Sequence, residues 1–161
     1  MSVKTFDNHE LETQGLVPTK ILVPTDFSEY SDRALGEALD IAKQYMAKVF
    51  LLHVEHEGIH PLSSGILPDE LVQKMTNVVE TEIKTSLQNQ LNLFPQAKEV
   101  EVVTNLRQGI PCEEILKEAK GQGINLIVIA SLGQSGIAKY LIGSVARNVL
   151  KDSECPVLLS K

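Results

Sequence analysis

Apolar residues come in short blocks separated by amphipathic stretches, and the alternation repeats along the chain. Residues 20–24, Lys-Ile-Leu-Val-Pro, read as a short buried strand stopped by its proline. Thr25, Asp26 and Phe27 then make a turn, and Ser28 suits a helix N-cap. Glu29 and Asp32 fall in the first turn, where the helix dipole favours anions, and Leu35, Ala38, Leu39, Ala42 and Tyr45 recur at helical spacing. Residues 49–54 form a second apolar block. The loop from 55 to about 67 exceeds the roughly 4–6 residues usual for a connection, a length often tied to function. Pro68 opens a long helix whose stripe of Leu71, Met75, Val78, Val79, Ile83, Leu87 and Leu91 is expected to pack on the core.

The pattern continues with a third strand at residues 100–104, where alternating Glu99 and Glu101 leave one side more exposed. Pro111 suits the first position of the next helix, which Gly121 or Gly123 ends. Residues 125–130, apolar from Leu126 onward, predict a central fourth strand. A loop covers 131–142, Gly143 and Ser144 open a last helix to about Asp152, and residues 156–160 form a fifth strand. Strands separated by helices require parallel pairing through crossovers. The expected fold class is therefore α/β, an open doubly wound five-stranded parallel sheet. Ligands of such sheets bind beyond the carboxyl ends of the strands, where the strand order reverses. The stretches 24–26, 54 onward and 130–144 should meet there.

A chain of 161 residues fits one domain, read as residues 19–161 preceded by an arm, residues 1–18, without apolar periodicity. The net charge of -6 argues against nucleic-acid and anionic-membrane partners, which require clustered Lys and Arg. It leaves room for a small phosphorylated ligand held by backbone N–H groups. Cys112 and Cys155 fit neither a disulfide framework nor a metal spacing. His53, His56 and His60, interleaved with Glu55 and Glu57, match no zinc pattern, so no metal site is expected. The polar start and the lack of any 18-residue apolar run point to the cytoplasm.

Four separated segments carry a family resemblance. Pro24-Thr25-Asp26-Phe27-Ser28 after the first strand, Leu51-Leu52-His53-Val54 in the second, Gly133 followed after nine residues by Gly143-Ser144, and Cys155-Pro156-Val157-Leu158 at the end resemble the universal stress proteins, from Lys20 onward. The resemblance implies an adenine-nucleotide alpha-hydrolase-like (Rossmann-like) fold and a homodimer pairing through the last strand, residues 156–160. It also implies a site for ATP or another adenine nucleotide, with Mg2+ or Mn2+ held by the phosphates. Pro24, Thr25 and Asp26 would contact ribose and adenine, Val54 the adenine, and Ala130, Ser131, Gly133 and Gln134 the phosphates, with Gly143, Ser144 and Val145 closing the site.

Elementary chemistry supports that assignment. Glycine admits close backbone approach and positive φ, successive N–H groups form an anion nest, and a helix N-terminus adds a positive end. Asp26 can accept hydrogen bonds from ribose hydroxyls, as acidic residues do in other nucleotide folds. Ala130 stands where the family pattern, Gly-x2-Gly-x9-Gly-(Ser/Thr), has its first glycine; alanine suits an extended backbone there and not a left-handed one. Leu132 and Gln134 flank Gly133 where members often carry polar and basic residues, reducing charge-assisted contacts to phosphate. Lys139 and Arg147 could approach the phosphates, but exposed basic residues on an acidic chain are usually solvated surface.

The expected function is a nucleotide-binding regulatory module of the stress response. A scaffold of the same fold that acts through protein partners, and a slow metal-dependent ATPase, are the alternatives. The chain has no Gly-x-x-x-x-Gly-Lys-(Ser/Thr) loop, no Ser-Gly-Gly-x-Asp-Ser loop after its first strand, and no visible nucleophile–base pair, so no catalytic residue is assigned.

Overall fold

A computed structural model describes residues 15–56, 67–133 and 142–161. Five parallel strands, β1 (Lys20–Thr25), β2 (Lys48–His56), β3 (Val102–Gly109), β4 (Leu126–Ala130) and β5 (Val157–Ser160), lie in the order β3-β2-β1-β4-β5. Between them run α1 (Glu29–Tyr45), α2 (Asp69–Asn92), α3 (Pro111–Gln122) and α4 (Ser144–Asp152). The alternation of strand side chains sorts the core into two layers. Ile21, Val23, Val49, Leu51 and Val128 pack with Leu35, Leu39 and Leu87 of α1 and α2. Leu22, Leu52, Ile127 and Ile129 pack with Ile115, Ala146 and Val149 of α3 and α4. Strands buried on both faces explain why these blocks are continuously apolar.

Local chemistry sets the helix ends. Ser28 caps α1, its hydroxyl accepting from the Ser31 N–H at 3.2 Å. Ser28→Ala should lower stability by about 1 kcal/mol, read as a melting temperature lower by roughly 2–4 °C. Pro111 opens α3, and Gly123, left-handed at φ 64°, ends it.

Three expectations are corrected. Pro24 does not stop β1, which pairs with β2 through Thr25 opposite His53. The third strand starts later and runs longer than residues 100–104. Its second half is polar because Asn105 and Arg107 turn toward α3, where both donate to Glu118. The stripe on α2 is core only in its second half. Ile83, Leu87 and Leu91 are buried, whereas Leu71, Met75 and Val78 are exposed. The amino-terminal part of α2 instead borders an open groove beside β3, lined by Val72, Thr76 and Val79.

Candidate functional site

The strand order reverses between β1 and β4, and there the sheet splits. The two strands are in register only at Ile21–Leu126 and Leu22–Ile127. Lys48 N–H donates to Thr19 O and Asn125 N–H donates to Lys20 O, so odd-numbered residues of β1 turn their backbone to β2 and even-numbered ones to β4. Pro24 is even-numbered. Its missing N–H faces the gap, so the ladder to β4 ends without an orphaned donor while that to β2 continues. A proline in a central strand thus sits where two strands part.

The parting opens a cleft of about 290 Å³. Pro24, Thr25, Asp26 and Val54 line one side, and Ala130, Ser131, Gly133, Gly143, Ser144 and Val145 the other. The structure therefore brings together every site residue named from the sequence except Gln134, which, like Lys139 and His60, lies outside the described residues. The volume is near the lower end of the roughly 300–1,000 Å³ typical of small-molecule sites.

On the β1 side, Asp26 begins an Asx turn: its Oδ1 accepts from the Ser28 N–H at 3.0 Å and from the Ser28 hydroxyl. Phe27 is left-handed at φ 63°, a conformation that costs a non-glycine residue roughly 1–2 kcal/mol. Its N–H is held by the Thr25 hydroxyl at 3.0 Å, and its ring stacks on His53 with centroids 4.6 Å apart. His53 Nδ1 lies 2.9 Å from the Thr25 carbonyl oxygen, which assigns the hydrogen to Nδ1. His53, weighed from the sequence only as a metal ligand, also lines the cleft, because its register opposite Thr25 puts it there.

On the β4 side, the Asp26 carboxylate closely approaches Gly133. A Cβ there would lie 2.8 Å from Asp26 Oδ2, so the carboxylate rests against the Gly133 backbone. Neither Gly133 nor Gly143 has positive φ, contrary to the flexibility reading. Ala130 ends a strand and is not left-handed, so its methyl brings no backbone strain.

The loop amides are less available than the sequence implied. Ser131 N–H donates to Ser160 O and Gly143 N–H to Ser131 O, each at 2.8 Å. The amides of the first turn of α4, at Ser144, Val145 and Ala146, have no partner within the helix. Arg147 turns back, its guanidinium donating to Ile142 O at 3.1 Å. Cys112 and Cys155 are half-buried free thiols against the core, away from any redox or metal pairing among the described residues.

The Universal stress protein family model matches residues 18–161. A curated relative, universal stress protein YxiE of Bacillus subtilis, is 37% identical over 144 residues, covering 87% of this chain and 97% of that one. The solved structure of MJ0577, a protein of Methanocaldococcus jannaschii, is 33% identical with a TM-score of 0.76 over 90% of this chain and 96% of that one. At 24% identity, a universal stress protein crystallised in complex with cAMP shares the fold, with a TM-score of 0.64 over 89% of this chain and 96% of that one. With the parallel sheet, its split at Pro24 and the spacing from Gly133 to Ser144 in place, the match across residues 18–161 means that this chain belongs to the universal stress protein family.

Proposed function

We propose that the chain binds an adenine nucleotide, ATP foremost, in the cleft between β1 and β4, and acts as a dimeric regulatory module of the stress response rather than as an enzyme. One observation carries this reading: two complementary groups face one cleft. Asp26, a hydrogen-bond acceptor suited to ribose hydroxyls, stands on one wall, and the N-terminus of α4, a donor site suited to phosphate, on the other. The cAMP complex of a relative of the same fold supports an adenine ligand.

Mg2+ or Mn2+ would enter with the nucleotide, carried by its phosphates. No helix of the described residues is long and apolar enough to cross a membrane. The open edge of β5, with Leu158 exposed, is the surface we assign to the homodimer.

The test is thermal melting with ATP, ADP, AMP and cyclic AMP, together with mass spectrometry of small molecules released from fresh protein. Ligand at a hundred times its Kd should add about 2.7 kcal/mol, or roughly 5–10 °C for a chain of this size. No shift with any of the four at millimolar concentration, and no nucleotide released, would overturn the reading. Leu132, apolar and lining the cleft, favours a second one: a scaffold of the same fold acting through protein partners, selected by a stable dimer that melts unchanged with nucleotide.

A further inference from the structure

We infer that Gln90, on α2, is a positioning residue of this site, fixing the turn that presents Asp26; the inference rests on the nucleotide reading above. Gln90 is polar yet only 5% exposed, on the part of α2 that joins the core. Its Nε2 donates to Asp32 Oδ1 at 2.7 Å, and its Oε1 lies 3.0 Å from the Thr25 hydroxyl.

The polarity of this chain is fixed. An ionised carboxylate only accepts, so Asp32 draws the amide NH2 to itself and turns the amide oxygen toward Thr25. The hydroxyl hydrogen of Thr25 then points toward Gln90 and Ser31, the latter also at 3.0 Å. The Thr25 lone pairs are left for the Phe27 N–H. Ser31, whose own hydroxyl donates to Ser28 O at 2.8 Å, cannot replace Gln90 as the link to Asp32. Gln90 thus joins three points of the β1–α1 segment: Thr25 at the strand end, left-handed Phe27 through Thr25, and Asp32 in the first helical turn. Asp26 lies within that span, against Gly133. The neighbouring buried positions of α2, Leu87 and Leu91, are aliphatic, so the polar groups that Gln90 meets are those of the turn and of the start of α1.

The experiment compares Gln90→Met, similar in size but without hydrogen-bonding groups, with Leu91→Ala, which disturbs the core of α2 without touching the turn. Affinities for ATP and for 2′,3′-dideoxy-ATP, which lacks the ribose hydroxyls, are measured by calorimetry. Amide exchange is followed at Phe27 and Ser28. In Gln90→Met, ATP should bind about tenfold more weakly while the dideoxy nucleotide changes less than about twofold, and both amides should exchange faster. Leu91→Ala should leave the preference for ATP over its dideoxy analogue intact. Equal weakening toward both nucleotides, or unchanged exchange at Phe27 and Ser28, would overturn the inference alone. A wild-type protein that binds neither nucleotide would overturn the nucleotide reading, and the inference with it.

Discussion

Gly133→Ala is expected to weaken nucleotide binding about ten- to hundred-fold while leaving the fold intact. The new Cβ would stand 2.8 Å from Asp26 Oδ2, closer than such atoms approach. The carboxylate cannot simply swing away, because its other oxygen is held by the Ser28 N–H and hydroxyl. Displacing it breaks the Asx turn or moves β1 from the loop, and either change removes the acceptor proposed for ribose. Calorimetric titration of wild type, Gly133→Ala, Asp26→Ala and the double variant checks this as a cycle. In the Asp26→Ala background the glycine substitution should have almost no further effect. Additive losses would mean that Gly133 acts on the ligand directly and not through Asp26.

The largest loss of stability is expected away from the cleft, from Arg107→Met. Glu118 has a side chain only 2% exposed, and its carboxylate accepts from Arg107 Nε at 2.6 Å and from the Asn105 amide. Removing one partner of a fully buried pair typically costs 3–5 kcal/mol, because the remaining charge stays desolvated. Arg107 is 34% exposed and Asn105 remains, so about 2–3 kcal/mol is expected here. Urea denaturation measures it, and adding Glu118→Leu should restore most of the loss, since an apolar pair leaves no buried charge. A destabilisation below roughly 0.5 kcal/mol would show that Glu118 is rehydrated in the folded protein.

The same cluster gives a pH dependence. Lys117, by its hydrogen bond, and then Arg107 hold the Glu114 carboxyl below its ordinary value, against the opposing effect of burial. A depressed carboxyl pKa means that the unfolded chain binds the proton more readily. The stabilisation is present above the ordinary glutamate range and is lost as the pH falls through the folded value. Lys117→Met should flatten that acid limb of stability against pH.

The strand–helix order, the parallel sheet and the reversal point were legible in the sequence because a strand covered on both faces has to be apolar throughout, as residues 126–130 are. The cleft was legible for the same reason: once the sheet is parallel, Pro24, Asp26, Val54 and Gly133 have nowhere else to meet. Where a polar residue has a buried partner from a distant segment, local pattern reading fails. Asn105 and Arg107 hid the second half of β3 because their partner, Glu118, lies on the following helix. Gln90 looked like an ordinary polar position on α2, and only packing against Thr25 and Asp32 makes it part of the site. The stripe on α2 failed the opposite way. Helical periodicity specifies a face, and only the extent of the sheet beneath decides how much of that face is buried, which leaves Leu71, Met75 and Val78 exposed. The sequence by itself determined which residues could come together at the head of the sheet, because chain order and apolar blocks dictate topology. The tertiary structure alone decided how they meet: Pro24 facing the split, Asp26 against Gly133, and the amides of Ser131 and Gly143 already engaged, since all of these depend on register between segments far apart in the chain.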